Sequence, residues 1–184
     1  MGAALRAGYS AVLKAHSTAD ERPVAPRHDD ESVDQREAAL DAWYAARASS
    51  GNEPEAQRIA RVREKLADPA AQLVVVERSG DTVGMALAEP FREGHGLGDI
   101  RARWGHISMV FVRPDHQGVG VGSELVQRLI SEAPWRHLSV WTREANVRAQ
   151  RLYRGCGFLA TGESGSISGG EPTQRWERRD PCRS

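Results

Sequence analysis

The stretch Val112-Arg113-Pro114-Asp115-His116-Gln117-Gly118-Val119-Gly120-Val121-Gly122-Ser123-Glu124-Leu125 decides how this chain reads. Upstream of it, His106 to Val112 is apolar almost without a break apart from Ser108, the texture of a strand buried on both faces. Downstream, Leu125, Val126, Leu129 and Ile130 recur on one side of an amphipathic helix predicted over 122–133. Between the two, Gly118, Gly120 and Gly122 let the backbone take conformations closed to other residues and come close to a ligand. The first turn of the helix adds unpaired N–H groups and the positive end of the macrodipole. Strand, Gly-rich loop and helix N-terminus in that order form an anion cradle suited to a phosphate or pyrophosphate. The plainer reading is a Gly-rich turn that only permits tight strand–helix packing. The buried strand before it and the amphipathic helix after it weigh against that.

Two nucleotide-binding patterns fail here. A Walker loop needs Gly-Lys-Ser/Thr, and no Lys is present in the segment. A dinucleotide fold needs Gly-x-Gly-x-x-Gly and an acid about 20 positions on, at the end of the next strand. The spacing in this chain is Gly-x-Gly-x-Gly, and the next strand offers Ser139, Val140 and Trp141.

The flanks supply the rest of the fold. On the N-terminal side, Ala38, Ala39, Ala42, Trp43 and Ala46 make an apolar stripe that predicts a helix over 32–48, with Ser32 or Asp34 as its cap. A second helix is predicted over 54–67, with Pro54 in its first turn and Ile59, Val62 and Leu66 on one face. Residues 72–77 and 82–89 read as a hairpin about Ser79-Gly80-Asp81, and residues 90–104 as a Gly-rich connecting loop. Beyond the central helix come a strand over 137–142, a helix over 146–155, and strands over 157–164 and 173–178. Residues 17–34 are polar and carry two prolines, so they read as loop, while Tyr9 to His16 fits a strand or a short helix. The expected organisation is an undefined segment over 1–31, one domain over 32–179 and a tail over 180–184. The fold class is α/β of the mixed α+β kind: a mostly antiparallel central sheet flanked by helices, parallel where helices link strands.

Composition bounds the function classes. The 184 residues include 25 basic and 25 acidic side chains, so the formal net charge is zero and nothing in the totals suggests a nucleic-acid-binding face. Cys156 and Cys182 cannot make a disulfide framework or a four-ligand zinc site, and the histidines show no ligand spacing, so no metal is expected. No secretory signal, membrane-spanning run or myristoylation pattern is legible, which leads to the expectation of a cytoplasmic protein with no membrane partner.

Gln117-Gly-Val-Gly-Val-Gly122, after a strand ending in Val112-Arg-Pro, resembles the acyl-CoA pyrophosphate loop of the GNAT N-acetyltransferase superfamily, whose pattern is Arg/Gln-x-x-Gly-x-Gly/Ala. Trp141-Thr-Arg-Glu-Ala-Asn146-Val-Arg-Ala-Gln-Arg-Leu-Tyr153-Arg-Gly-Cys-Gly-Phe158 resembles the family's later stretch, in which a strand is followed by Asn, a helix bearing Tyr, and Gly-Phe. The resemblance covers residues 72–164 well, residues 32–67 only as helix placement, and the N-terminal 30 hardly at all. It implies a central sheet of six to seven strands and acetyl-CoA as co-substrate. It also implies site residues. Val110, Phe111 and Val112 would offer backbone groups to the pantetheine arm. The N–H groups of Gln117, Gly118, Val119, Gly120, Val121, Gly122 and Ser123 would hold the pyrophosphate, and Asn146 would bond the cofactor near its pantetheine portion. Tyr153 would protonate the departing thiolate; the bland alternative for it is a core aromatic.

Such a reaction needs a base for the attacking ammonium and a backbone N–H, here assigned to Val110, to polarise the thioester carbonyl. Two residues are candidates for the base, His106 at the head of the cofactor strand and Glu89 at the end of the strand before it; ordered water is the third route. Trp141 stands where some relatives carry a catalytic Glu. The expected acceptor is an amine of a small molecule or peptide, held by the two N-terminal helices, the segment 90–104 and the stretch 162–170. A homodimer is open, since many relatives pair. A non-catalytic acyl-CoA-binding module is the alternative function.

Overall fold

The computed structural model describes residues 27–51, 53–166 and 170–180. Two helices come first, α1 (Arg27–Ala48) and α2 (Ala56–Ala67). Then follow β1 (Gln72–Arg78), β2 (Asp81–Arg92), β3 (Ile100–Val112), α3 (Val121–Glu132), β4 (His137–Arg143), α4 (Val147–Gly155), β5 (Leu159–Ser166) and β6 (Pro172–Arg179). The six strands form one sheet in the order β1-β2-β3-β4-β6-β5. Every neighbouring pair is antiparallel except β3–β4. That pair is parallel because α3 carries the chain back across the sheet between them. The expected mixed α/β class with a mostly antiparallel sheet therefore holds.

Alternation along the strands sends apolar side chains to two cores. Ala86, Ala88, Ile107, Val140 and Trp176 meet Leu125, Val126 and Leu129 of α3 and Tyr153 of α4 on one face. Met85, Leu87 and Met109 meet Leu40 and Trp43 of α1 and Val62 and Leu66 of α2 on the other. The β1–β2 hairpin closes through Ser79 and Gly80 with φ of 54° and 88°. Positive φ at both central positions is what a two-residue turn matching strand twist requires.

One irregularity prepares the site. Leu87 pairs with Met109 but Ala88 pairs with Ile107, so Ser108 is an extra residue in β3. The bulge puts Ile107 and Met109, two residues apart, into opposite cores. Just there the parallel pairing ends: β3 and β4 are in register only from Trp104↔His137 to Ile107↔Val140. Beyond Ile107 the two strands part, and the β4-facing edge of β3 has no strand partner among the described residues.

Two expectations need correcting. Residues 90–104 are not one loop, since β2 runs to Arg92, β3 starts at Ile100, and Pro90 pairs with Gly105. The ribbon escapes a periodicity reading because Arg101, Ala102 and Arg103 are exposed, leaving Phe91 and Trp104 as its buried contact, ring centroids 6.1 Å apart. Residues 27–34 are helix rather than loop, so Ser32 and Asp34 lie inside α1 instead of capping it. The first turns of α1, Arg-His-Asp-Asp-Glu, carry no apolar stripe, which is why the pattern hid them. The strand-or-helix expectation for Tyr9 to His16 and the tail over 180–184 lie outside the described residues, Asp180 excepted.

Candidate active site

The Gly-rich loop is built as a donor surface. Pro114–His116 make a single tight turn after β3, and Gly118 and Gly120 follow with φ of 84° and 95°. Left-handed backbone at both positions turns the chain into α3, with Gly120 at its N-cap and no side chain capping it. The backbone N–H groups of residues 118–123 have no well-formed hydrogen-bond partner among the described residues. A Cβ at either Gly118 or Gly120 would meet nothing within 4 Å, so it is the left-handed backbone and not packing that calls for glycine there. Six donors converging on the positive end of a helix suit a diphosphate.

A cavity of about 550 Å³ runs from this loop along the end of β3. Val110, Phe111, Val112, Gln117, Gly118, Gly120, Gly122, Ser123 and Asn146 line it, so the structure brings most of the predicted cofactor residues together. Val119 and Val121 contribute only backbone: the first side chain is 73% exposed and the second is buried in the core. Gln117 is fixed from both ends, its Nε2 donating to the Val112 carbonyl at 3.0 Å and its Oε1 accepting from Arg148 Nη1 at 2.6 Å. Arg148, Arg151 and His116 also line the cavity and were missed by sequence reasoning. The signal was available in principle, since Arg148 and Arg151 are three apart on one helix face.

Asn146 does a structural task here. Its Oδ1 accepts the Ala149 N–H at 3.0 Å and caps α4, so the amide is held at the cavity wall by the helix it starts. Tyr153 lies in the core, 6% exposed, with its ring 5.6 Å from Phe158, and it lines neither this cavity nor the one described next. Burial pushes its phenol pKa up, so the hydroxyl stays protonated.

A second cavity, about 800 Å³, opens on the α2 side of the sheet. His106 and Glu89 both line it and face each other as direct cross-strand partners. Lys65 of α2 forms an ion pair with Glu89. Arg175 lies with its guanidinium 4.6 Å from the Phe91 ring centroid and pairs with Glu163 at 2.8 Å and Glu177 at 2.7 Å. Trp141 completes the wall nearest the parting of β3 and β4. Of the segments expected to hold the acceptor, α2, the 90–104 ribbon and the 162–170 stretch contribute to this wall; α1 instead sends Ala46 to the first cavity. Lys65, Phe91, Trp141 and Arg175 were not foreseen as a group, because they come from four elements with no common motif.

His106 is the most perturbed group of the wall. Burial lowers its pKa to about 4; Glu89 pulls it up, and Lys65 and Arg175 push it further down. The imidazole is therefore neutral at pH 7 and has a lone pair to offer, though the same burial makes it a weaker base than free imidazole.

A family model matches the stretch that carries the donor loop and the parting strands. Residues 34–158 fit the Acetyltransferase (GNAT) family. The chain belongs to the GNAT acetyltransferase family. Among curated relatives, mycothiol acetyltransferase of Stackebrandtia nassauensis is 36% identical over 101 residues, covering 53% of this chain and 31% of the relative. The L-amino acid N-acyltransferase MnaT of Escherichia coli is 33% identical over 107 residues, 56% of this chain and 58% of the relative. The chain thus spans between about a third and somewhat over half the length of these relatives. Among solved structures, yncA from Salmonella typhimurium with its cofactor acetyl-CoA superposes with a TM-score of 0.62 at 20% identity, covering 83% of this chain and 92% of that one. At that identity the superposition speaks for the fold. No described helix is long and apolar enough to cross a membrane.

Proposed function

We propose that this GNAT member transfers an acetyl group from acetyl-CoA to the amine of a small molecule or peptide, by direct attack in a ternary complex. The observation that carries the reading is the placement of the two cavities. One reaches the parting of β3 and β4 along Val110–Val112, the other along His106 and Trp141. A thioester threaded through the gap would present its carbonyl to an amine arriving from the opposite side. Holding both reactants in that geometry removes much of the entropic barrier.

In this reading the N–H groups of residues 118–123 hold the pyrophosphate, with Arg148 and Arg151 adding positive charge at the same wall. The unpartnered edge of β3 at Val110–Val112 binds the pantetheine amides as an added strand would. Val110 N–H steadies the oxyanion of the tetrahedral intermediate. His106 takes the proton from the attacking ammonium, and Glu89, tied to Lys65, orients and attracts the cationic acceptor. Tyr153 takes the role of acid for the departing sulfur from the family resemblance alone, since its buried ring borders neither cavity. The residues present fit acetyl-CoA because they leave six donors, an open strand edge and empty volume in one line. The family resemblance and the relatives' names support N-acetylation as the chemistry.

The test is calorimetric titration with acetyl-CoA followed by a thiol-release screen across amines (amino acids, polyamines, aminoglycosides, peptide N-termini). Binding in the micromolar range with release that depends on one amine class supports transfer. Binding with no release for any amine moves the reading to the non-catalytic acyl-CoA-binding module.

A further inference from the structure

The acceptor cavity has a feature the proposed reaction does not by itself require. Among the described residues the His106 ring is tied at one nitrogen only. Its Nδ1 lies 3.0 Å from Ser139 Oγ, and Ser139 is fully buried on β4 directly opposite in the parallel register. Ser139 Oγ is also placed to donate to the Gly105 carbonyl, at 3.4 Å. No hydrogen-bond partner reaches Nε2 among the described residues, and the ring borders the acceptor cavity.

A serine hydroxyl has one proton, and a carbonyl oxygen can only accept. If the hydroxyl gives its proton to Nδ1, its contact with the Gly105 carbonyl sets lone pair against lone pair. If it gives the proton to the carbonyl, Oγ is left to accept from Nδ1–H, and all three buried groups are served. Buried polar groups favour the arrangement that satisfies most of them. We infer that Ser139 is a positioning residue that locks neutral His106 as the Nδ1–H tautomer, leaving the Nε2 lone pair open to the acceptor cavity. Free imidazole favours the opposite tautomer, in which Nε2 is protonated and cannot take a proton, so the lock decides whether the ring can serve as a base. When the base acts, the proton from the amine adds to Nε2, Nδ1–H stays bonded to Oγ, and the ring becomes imidazolium. Glu89 from β2 stabilises that charge, while Lys65 from α2 and Arg175 from β6 oppose it. The inference rests on the proposed role of His106, but its first readout does not.

The full chain, labelled with ¹⁵N histidine, is examined by long-range ¹H–¹⁵N correlation at pH 7, where the pattern reports which ring nitrogen carries the proton. The chain has six histidines, and a His106→Gln sample assigns the signal of interest by its disappearance. The expected result is a protonated Nδ1 and an unprotonated Nε2. A protonated Nε2 in the parent chain overturns the lock outright, with no variant required. In Ser139→Ala the population is expected to move toward the Nε2–H form and kcat/KM for the amine to fall about tenfold, with acetyl-CoA affinity unchanged; Ser139→Thr, which returns the hydroxyl, restores both. If Ser139→Ala leaves the tautomer where it was, the lock is again overturned. If the tautomer flips and kcat/KM does not change, the lock stands and the basic role proposed for His106 falls.

Discussion

The two cavities of this molecule are built on different principles. In the proposed reading the cofactor side offers its ligand chiefly backbone, a run of N–H groups over residues 118–123 and a strand edge freed by the parting of β3 and β4, with Gln117, Asn146, Arg148 and Arg151 along the wall. The acceptor side is made of side chains from α2, β2, β3, β4, β5 and β6, tied in ion pairs and one histidine–serine contact. A site of backbone groups depends on few residue identities, and those few must be glycine. A site of side chains can change its ligand with one substitution and leave the sheet intact. Under the proposed function, the contrast gives constancy of co-substrate to one cavity and choice of acceptor to the other.

Gly120→Val should break the cofactor side with the largest effect. A β-branched residue at φ of 95° is strained whatever the space around it, and its side chain would stand where the diphosphate approaches. Acetyl-CoA affinity should fall about 1000-fold, roughly 4 kcal/mol, by calorimetry. Circular dichroism should still report the parent's secondary structure, since nothing packs against that position. Affinity within threefold of the parent would dismiss the cradle.

The acceptor side should respond to His106→Gln in kcat/KM, by about 100-fold, at the low end for a positioned base. Acetyl-CoA affinity should not move, which separates the two cavities. The same residue has a stability signature. Its folded pKa of about 4 lies below the unfolded value near 6.5, so the unfolded chain binds the proton more readily. Its contribution is complete above pH 6.5 and is lost as pH falls toward 4. The loss is on the order of 3 kcal/mol, read as a steeper fall of denaturation midpoint with acidity in the parent than in His106→Gln. Equal slopes would mean the ring is hydrated and titrates normally.

The same contrast explains how much was legible in the chain. Gly118, Gly120 and Gly122 sit between a buried strand and an amphipathic helix, and backbone requirements of that kind leave a local trace in residue type. The β1–β2 hairpin, α3 and the helix α4 were readable from local pattern, whereas the cap that Asn146 places on α4 was not read from it. His106 opposite Glu89 is a matter of sheet register, and the bulge at Ser108 that shifts it leaves no mark in the composition of β3. Ser139 reads as an ordinary polar interruption until β4 is set beside β3. Lys65 and Arg175 are 110 positions apart and meet only through the sheet. The exposed ribbon over residues 90–104 deceived because its strands carry no apolar stripe to announce them.

Tyr153 falls between the two regimes. Its spacing from Asn146 is a motif feature, yet the ring sits in the core against Phe158. Tyr153→Phe keeps the ring and the packing and removes only the hydroxyl, so stability should hold within about 1 kcal/mol. If the hydroxyl protonates the departing sulfur, kcat should fall about 30-fold, less than a full acid contribution because a thiol with free pKa near 8.5 is a fair leaving group unaided. An unchanged kcat with unchanged acetyl-CoA affinity would leave Tyr153 as packing.

The smallest effect sharpens the comparison, because it concerns the one side-chain clamp on the backbone-built cavity. Arg148 donates to Gln117 Oε1, and Gln117 donates on to the Val112 carbonyl, so two hydrogen bonds link α4, the loop and the end of β3. The guanidinium is exposed, and an exposed charge contributes modestly and is screened by salt. Arg148→Ala should therefore weaken acetyl-CoA about fivefold at low ionic strength, roughly 1 kcal/mol, and by less at 0.5 M salt, with kcat unchanged. Two origins for that loss predict different cycles. If Arg148 acts by holding Gln117, then Gln117→Ala costs a similar amount and the double variant adds little to either single one. If it acts as a charge facing the phosphates, the two losses add and only the Arg148 component shrinks with salt. The hydrogen bond at 2.6 Å favours the first, and additivity with strong salt dependence would overturn it.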